Sequence, residues 1–510
     1  MSNDILSMPS LHVTNALQQQ RKNTIEYLEA LPQWDISEHQ KGFTIPGEIF
    51  LFLTRNHHLV HDTKAIYRYD QQTGRYTKFS DQTWLYFVKC SLTEDTSPNV
   101  SKSTCMAIKD LILCEYTLFR DFDQFEKEHP NLVGVANGIW DSNTRKVRPA
   151  TADDLISLYY GFSYLDNCNI KQAPSFYNFV CSSLGYEADK RSTTLLCEVF
   201  GYTLSFSTKL RKLHIFYGVS GSGKSTALGL LQRILKQENV SSVPLHELSE
   251  RYNLGELNGK RCNISTEISS KPLGGLSLLK ILSASEYVLG EIKYQRAVPF
   301  EAKATLIFAT NVMPEISAKE RLGGDVSFFN RLNFVIFPVG TPSDKAIIDL
   351  EDKLWEERNV IFSLCLNAYA DLVTRNFQLT EPPESVEFLN EYIRQEAKFS
   401  DFAQSHIEIV HGAKTSLADI MTSFQTYCTR NGFQYKGTSG EVKSYFFMKH
   451  PKDVVFKKLR FGRGSTLWGF LNVKLVREKD TNEEEFNDFK DEEYKTVKWQ
   501  DSSLYYGGAL

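Results

Sequence analysis

Residues 212–226 decide the fold, and they have the sequence KLHIFYGVSGSGKST. The apolar run 213–217 predicts a buried strand that stops at Gly218. A glycine-rich loop ending in G-K-S follows, and apolar residues at helical spacing then predict a helix over 226–236. A strand, a G-x-x-x-x-G-K-[ST] loop and a helix together form the phosphate-binding loop motif in the context that it requires. The chain is therefore predicted to bind a nucleoside triphosphate.

The residue types in this loop suit phosphate and magnesium. Glycines allow positive φ and close approach of the backbone, and the loop N–H groups and the helix N-terminus attract an anion. Lys224 is expected to reach the β- and γ-phosphates, and the Ser225 hydroxyl is expected to bind Mg²⁺. The predicted cofactors are ATP and Mg²⁺. The predicted nucleotide-binding residues are Gly218, Val219, Ser220, Gly221, Ser222, Gly223, Lys224, Ser225 and Thr226.

The composition is typical of a globular protein. Its 510 residues predict about three domains. No apolar run is long enough to span a membrane, and the N-terminus lacks the pattern of a signal peptide. Nine cysteines, none in C-x-x-C spacing, favour reduced thiols in a cytoplasm over a zinc site. His57, His58 and His61 are close in sequence, but surface histidines are favoured there over a metal site.

The net charge of −4 conceals an uneven distribution. Residues 478–494 (EKDTNEEEFNDFKDEEY) carry nine acidic residues and two lysines, a net charge of −7. This composition predicts a solvated acidic tail over 478–510. The rest of the chain is mildly basic, at +3, which is compatible with nucleic-acid binding.

Hydrolysis of a nucleoside triphosphate needs a carboxylate near the phosphates that activates water or holds Mg²⁺. Residues 261–266 predict a short strand after the turn at Asn258 and Gly259, and Glu267 ends it. Glu267 is the candidate catalytic base and, with Ser225, the candidate metal ligand. Thr266 stands where a second acid is usual, so Mg²⁺ is expected to rest mainly on Ser225 and the phosphates. A surface glutamate without a catalytic role is the alternative.

Two further candidate catalytic residues lie beside predicted strands. Asn311 ends the apolar run 304–310, where it is expected to orient the attacking water or to sense the γ-phosphate. Arg331 comes immediately before the apolar run 332–337, where an arginine can act on the γ-phosphate of a neighbouring subunit. Arg321 is the second candidate for this role, and a structural arginine is the alternative.

Between Glu267 and Asn311, the sequence predicts two short strands around a basic, aromatic tip. Lys293, Tyr294 and Arg296 lie at this tip. Positive charge suits phosphate and an aromatic ring suits a base or sugar, so the tip is predicted to contact single-stranded DNA. A solvated hairpin without a ligand is the alternative.

These motifs, in this order, resemble a known family. The phosphate-binding loop is followed by LNGKRCNISTE (257–267), EIKYQ (291–295), FATNVMP (308–314) and RLNFVIFP (331–338). The set is similar to that of superfamily 3 helicases of the phage and plasmid primase-helicase type, which are related to poxvirus-type NTPases. It is most similar to that of the Rep replication initiators of phage-inducible chromosomal islands.

The resemblance implies an α/β fold with an AAA+-like P-loop NTPase core, an N-terminal α+β collar-like domain and a C-terminal winged-helix-like domain. It implies a ring, usually a hexamer, with nucleotide between subunits and DNA in the central channel. It also implies 3′→5′ unwinding and origin recognition. Primase activity is not expected, because only residues 1–45 precede the collar-like domain and no primase-like acidic pair and histidine are found.

The predicted organisation has six segments. They are an N-terminal arm (1–45), the collar-like domain (46–204, with a β-hairpin over 65–79), the helicase core (205–345), a helical connection (346–400), the winged-helix-like domain (401–477) and the acidic tail (478–510).

The segment 401–477 is predicted to bind duplex DNA. Ser416 is the expected N-cap of one helix, 441–449 is the expected recognition helix, and 454–459 and 468–476 are the expected strands of a wing. Ten Lys and Arg residues stand against two acidic residues over 436–477. A basic but structural cap domain is the alternative. The predicted DNA-binding residues are Lys443, Lys449, Lys457, Lys458, Arg460 and Arg463.

The sequence thus predicts an ATP-hydrolysing, ring-forming DNA helicase and replication initiator of a mobile genetic element, located in the cytoplasm. Its expected partners are DNA, further copies of the chain and host replication proteins, but not a membrane. The first alternative is a DNA-binding ATPase switch, such as a helicase loader or transposition regulator. A packaging or scaffold protein with an inactive nucleotide site comes second, and a small-molecule kinase is a distant third.

Overall fold

A computed structural model describes residues 32–39, 44–269, 271–291, 297–317, 320, 326–340, 349–396, 398–431, 439–461 and 466–476. The chain divides into two units. The first comprises Met1–Ser270, Ser277–Met313 and Asn330–Glu387, and the second comprises Lys271–Leu276, Pro314–Phe329 and Phe388–Leu510. The boundaries of the six segments stay predictions. Within the ranges given above, no helix is both long and apolar enough to cross a membrane.

The N-terminal part of the first unit combines short helices with two small antiparallel sheets. Its helices are α1 (Ile45–Asn56), α2 (Asp81–Cys90), α3 (Lys102–Cys114) and α4 (Phe122–Glu128). One sheet contains β1 (Leu59–His61), β2 (Ile66–Asp70) and β3 (Arg75–Lys78), and the other contains β4 (Leu132–Val135), β5 (Gly138–Asp141) and β6 (Lys146–Arg148).

The β-hairpin predicted over 65–79 is confirmed. Strands β2 and β3 pair antiparallel, with Tyr69 opposite Tyr76 and Asp70 opposite Arg75. In the turn, Thr73 Oγ1 donates to Asp70 Oδ2 at 2.7 Å, and Gly74 adopts φ +68°, a conformation that glycine reaches without steric cost. Local turn chemistry and alternation therefore agree with the observed pairing.

Two long helices link this part to the central sheet. Helix α5 (Pro174–Leu184) ends in the left-handed Gly185, and α6 (Arg191–Leu204) is almost wholly buried. Gly201 of α6 lies so close to a later helix that a Cβ there would collide with the carbonyl of Cys365. That helix spans Arg358–Thr374.

The central sheet contains five parallel strands. They are β7 (Leu213–Gly218), β8 (Val240–Ser241), β9 (Cys262–Ser265), β12 (Thr305–Thr310) and β13 (Leu332–Phe337). Their order in the sheet is β13-β7-β12-β9-β8. Their residues are nearly all buried, as expected for parallel strands covered on both faces. This sheet confirms the predicted α/β class.

Helices and a hairpin accompany the sheet. The helices are α7 (Lys224–Leu235), α8 (Arg251–Gly255), α9 (Leu276–Ser283), α10 (Leu350–Glu356) and α11 (Arg358–Thr374). Helix α12 (Pro383–Glu396) spans the boundary between the two units. The hairpin consists of β10 (Tyr287–Gly290) and β11 (Val298–Glu301), with Gly290 opposite Val298. These are the two strands predicted around the basic tip.

Beyond α12, the described residues of the second unit form three α-helices and a three-stranded antiparallel sheet. In chain order these are α13 (Lys398–His406), β14 (Ile407–Ser416), α14 (Leu417–Arg430), α15 (Ser439–Lys449), β15 (Val455–Arg460) and β16 (Thr466–Leu475), with the strand order β14-β16-β15. The predicted N-cap is confirmed, because Ser416 Oγ accepts the N–H of Asp419 at 3.0 Å. The two predicted strands are also present, but β14 was not predicted.

Candidate functional site

The glycine-rich loop joins the carboxyl end of β7 to the first turn of α7. Gly221 and Gly223 adopt φ +74° and +95°, where a Cβ would be strained. A Cβ on Gly223 would also lie 2.7 Å from Phe179 and from Ser183 Oγ of α5. Among the described residues no side chain caps α7, so its first N–H groups can donate to a bound anion. The loop therefore has the backbone form that the motif predicts.

The side chain of Lys224 folds back into this loop. Its Nζ donates to the carbonyl oxygens of Gly218 and Val219, both at 2.8 Å, and to Ser222 Oγ at 3.3 Å. Lys224 is only 8% exposed, and burial lowers the pKa of its ammonium group. A positive charge thus lies within the loop, next to the open N-terminus of α7. The neighbouring Ser225 is exposed at the start of the helix.

The order of the strands brings Asn311 close to the loop. Strand β12 lies directly beside β7, with Thr310 opposite Tyr217, so the end of β12 is about 5 Å from the strand that carries the loop. Thr310 Oγ1 donates to Val312 O at 2.6 Å and accepts from Val312 N at 3.1 Å, which fixes the turn containing Asn311. Asn311 itself is exposed.

Glu267 lies at the same edge of the sheet, one strand further from the loop. Strand β9 pairs with β12, with Ser265 opposite Phe308. Glu267 therefore lies about two strand spacings, or about 10 Å, from β7 within the sheet, at nearly the same level as Asn311. Ser265 Oγ donates to the Glu267 carbonyl at 3.2 Å. The exposed Glu267 side chain forms no hydrogen bond or ion pair with another described residue, which leaves its carboxylate open to water or a cation.

A cleft of about 460 Å³ opens at Glu267. Its polar walls come from α7, β9 and the segment after β8, and they include Gln232, Ser242, His246, Thr266 and Glu267. Gln232, Ser242 and His246 were not predicted from the sequence, because only the sheet brings these distant positions together. Phe179 and Ser183 were not predicted either, since the sequence carries no motif for them.

Arg331 lies at the opposite edge of the sheet. It immediately precedes β13, whose first residue Leu332 is level with Leu213 and whose last residue Phe337 is level with Gly218. The six-residue strand separates Arg331 from the level of the loop by about 20 Å. Its guanidinium donates to Arg211 O at 3.4 Å. Burial, followed by the charge of Arg211, lowers its pKa. Arg331 therefore does not reach the loop of its own chain.

Several predicted residues cannot be placed. Lys293, Tyr294 and Arg296 at the hairpin tip, Arg463 of the wing and the second candidate Arg321 all lie outside the described residues. The strands that flank the tip are the pair β10 and β11.

The remaining predicted DNA-binding residues lie in the second unit. Lys443 and Lys449 are on α15, and Lys457, Lys458 and Arg460 are on β15. Lys443 Nζ lies 4.9 Å from the ring centre of Phe456, and Lys458 Nζ lies 5.7 Å from that of Trp468. These aromatic partners were not predicted from the sequence, although the alternation of side chains along paired strands is a signal that could have revealed them.

The expectation of surface histidines is wrong for His57 and His61. Both are buried, because His61 belongs to β1 and His57 packs edge-on to Phe87. Burial lowers the pKa of His57 to about 4, and His61 Nε2 lies 3.0 Å from Glu115 O. In the part of the chain that the structure covers, no three His, Cys, Asp or Glu side chains cluster as metal ligands.

Two segments match known protein families. Residues 49–182 match the family described as D5 N terminal like. Residues 216–321 match a family of unknown function, DUF5906, and this segment contains the whole loop, Glu267 and Asn311. No curated protein matches the chain.

Solved structures of the NrS-1 C terminal region are similar to this chain. An apo structure of that region has a TM-score of 0.46 at 11% identity, covering 85% of this chain and 100% of that chain. An A form apo structure has a TM-score of 0.44 at 11% identity, covering 84% and 100%.

Proposed function

We propose that this protein is an ATP-hydrolysing, ring-forming DNA helicase that initiates replication of a mobile genetic element. One observation carries the proposal. The loop with Lys224, the amide of Asn311 and the carboxylate of Glu267 come from three distant segments and end three adjacent strands at one edge of a parallel sheet. Ligands of open parallel sheets bind at this carboxyl edge.

In the proposed site, the phosphates of ATP lie against the loop and the N-terminus of α7. Lys224 exchanges the carbonyl oxygens of Gly218 and Val219 for phosphate oxygens, which compensates for its partial burial. Asn311 orients the attacking water, and Glu267 accepts its proton. Both act from the same edge, so the geometry is set before the substrate arrives.

The oxygen ligands near the loop fit a magnesium ion. Ser225 offers an exposed hydroxyl beside Lys224, and Glu267 offers a carboxylate without a partner among the described residues. Hydroxyl and carboxylate oxygens suit Mg²⁺, which keeps several waters and binds substrate phosphates directly. Such an ion would neutralise charge that develops on the phosphates. Ser225 is its expected main protein ligand, since Thr266 offers no carboxylate.

DNA binding is proposed for two regions. The tip between β10 and β11, with Lys293, Tyr294 and Arg296, is proposed to hold the strand in the ring channel. The basic residues of α15 and β15 are proposed to bind duplex DNA in the manner of a winged helix. The ring, its hexameric state and 3′→5′ polarity rest on the resemblance to superfamily 3 helicases. The D5 N terminal like match upstream of the sheet is compatible with that arrangement.

The test is an ATPase and unwinding assay on forked DNA of both polarities. For Lys224→Ala, we expect loss of ATP binding, hydrolysis and unwinding. For Glu267→Gln, we expect retained ATP binding with hydrolysis reduced at least about a hundredfold, because the proton acceptor is lost. Unwinding by the Lys224 variant would refute the proposal. If wild-type protein hydrolyses ATP but unwinds neither fork, the helicase-loader alternative replaces the helicase.

A further inference from the structure

The second unit carries two exposed aromatic rings, those of Phe447 and Trp468, beside the partly buried Phe456. The ring of Trp468 stacks on that of Phe456, with centroids 5.1 Å apart and planes inclined by 14°. Phe447 of α15 meets Phe456 edge-on at 6.4 Å. Trp468 is nevertheless 52% exposed and Phe447 is 50% exposed. Large aromatic side chains are usually well buried, so two exposed rings meeting at one point indicate a binding surface.

Strand geometry fixes the direction in which this surface faces. Phe456 is paired with Phe470, and Lys458 is paired with Trp468, so all four lie on one face of β15 and β16. Phe470 is fully buried in the core of the unit. The face therefore runs outward from a fixed apolar anchor, through Phe456, to the exposed ring of Trp468. This packing holds the indole in place before any ligand arrives.

The charge around the rings is uniformly positive along these strands. Neither β15 nor β16 contains an acidic residue, whereas β15 carries Lys457, Lys458 and Arg460. Lys443 Nζ lies 4.9 Å from the Phe456 ring centre. The lysine of β16, Lys474, is paired with Glu408 at 3.0 Å. The cations nearest the rings have no ion-pair partner among the described residues, so they can bind a polyanion.

We propose that this aromatic–basic face, made of Lys443, Phe447, Phe456, Lys458 and Trp468, binds unpaired bases of single-stranded DNA. Trp468 supplies the stacking platform, and the two lysines bind the flanking phosphates. A duplex offers base edges in its grooves, whereas an unpaired base offers a whole ring face, which is what Trp468 can stack upon. This inference takes from the proposed function only that the ligand is DNA. It adds a site for single-stranded DNA to the unit that is proposed to bind duplex DNA.

The experiment compares three labelled DNAs bound by the full-length chain without nucleotide and at one salt concentration. They are a duplex with a single-stranded tail, the same duplex with a tail of abasic sites, and the same duplex with blunt ends. Fluorescence anisotropy measures each affinity. For Trp468→Ala we expect about a tenfold loss on the normal tail and little change on the abasic tail or the blunt duplex. Trp468→Phe should recover most of that loss, since a ring is retained.

Leu467→Ala is the matched control. Leu467 is 45% exposed on the same strand but lies on its other face, so its removal should leave all three affinities unchanged. The inference is overturned if Trp468→Ala binds all three DNAs with wild-type affinity. It is also overturned if the variant loses the same factor of affinity for the normal tail, the abasic tail and the blunt duplex. This binding experiment contains no ATP, so its outcome does not depend on ATP hydrolysis. If Lys224→Ala unwound DNA in the separate unwinding assay, the helicase proposal would be refuted, but the comparison of the three DNAs could still be interpreted.

Discussion

At the scale of single residues, Gly223 shows how the loop is held from outside. It combines φ +95° with a position where a Cβ would lie 2.7 Å from both Phe179 and Ser183 Oγ. Helix α5, far upstream in the sequence, therefore forms a wall behind the loop. The loop depends on this wall as well as on its own sequence.

We expect Gly223→Ala to impair nucleotide binding and stability together. The left-handed backbone costs about 1–3 kcal/mol for a residue with a Cβ, and the contacts with Phe179 and Ser183 must also open. We expect the affinity for ATP to fall at least about tenfold, because a loss of about 1.4 kcal/mol in binding free energy is already a tenfold change. Isothermal titration calorimetry would measure this affinity.

Gly185→Ala is the matched control for backbone strain. Gly185 has φ +66°, but a Cβ there would meet nothing within 4 Å. It should cost about 1–2 kcal/mol of unfolding free energy and leave ATP affinity unchanged. Normal ATP binding by Gly223→Ala would show that the wall of α5 is irrelevant to the site.

The residues predicted from the sequence were those with local patterns. Lys224 and Ser225 follow from one short motif. Glu267 follows from a short predicted strand after a turn, and Asn311 follows from the apolar run 304–310. Phe179 and His246 could not be predicted, because their roles arise only when helices and strands pack. The sequence determines which strands form, whereas the strand order that places β12 between β7 and β9 is a property of the whole sheet.

At the scale of elements, the strands that were predicted correctly are those with a clear hydrophobic pattern in the sequence. The strands β7, β12 and β13 are predominantly apolar, as expected for parallel strands buried on both faces. Strand β14 was missed because most of its residues are exposed. Its pairing with β16 is also irregular between Ile409 and Lys414, near Gly412 with φ +79°. A bulged, exposed strand has no clear period in sequence.

Helix α4 contains a buried acid that should make stability depend on pH. Glu126 is 7% exposed, and its Oε1 accepts hydrogen bonds from Ser157 N at 2.8 Å and Ser157 Oγ at 2.5 Å. Burial outweighs these bonds and raises the pKa of Glu126 from 4.5 to about 7. The folded state therefore binds this proton more tightly than the unfolded state does.

It follows that Glu126 stabilises the fold fully below about pH 4.5, and that this contribution disappears as the pH rises through about 7. The shift corresponds to about 3 kcal/mol. Glu126→Gln keeps an acceptor for Ser157 but cannot titrate. For this variant we expect the free energy of unfolding, measured with urea between pH 5 and 8, to lack the decline that Glu126 causes. Glu128→Gln, an exposed change in the same helix, should retain the wild-type decline. Equal pH slopes for Glu126→Gln and wild type would contradict the burial argument.

At the scale of the whole molecule, the sheet separates two groups that ATP hydrolysis is proposed to need. The loop lies at the carboxyl edge, and Arg331 lies at the amino edge, about 20 Å away along β13. An arginine side chain cannot span that distance. If Arg331 acts on a γ-phosphate, it must act on the phosphate bound by a neighbouring copy, which is the head-to-tail contact that builds a ring.

This geometry predicts complementation between two inactive variants. Arg331→Ala should bind ATP but hydrolyse it poorly, because loss of a trans-acting arginine costs about 10³–10⁵ in rate. Lys224→Ala should not bind ATP but still offers Arg331 to its neighbour. In a random equimolar mixture, about a quarter of head-to-tail interfaces combine an intact loop with an intact arginine. ATPase activity in the mixture should therefore rise towards that fraction of the wild-type rate.

A chain carrying both Lys224→Ala and Arg331→Ala is the matched control. Mixed with either single variant, it forms no interface that contains both groups, so we expect no recovery. Activity measured across mixing ratios should peak near equal amounts, because each working interface needs one chain of each kind. The opposing result is a mixture that stays inactive at every ratio while both variants still assemble with the wild-type chain. That result would show that Arg331 has no catalytic role and serves only its hydrogen bond with the Arg211 carbonyl.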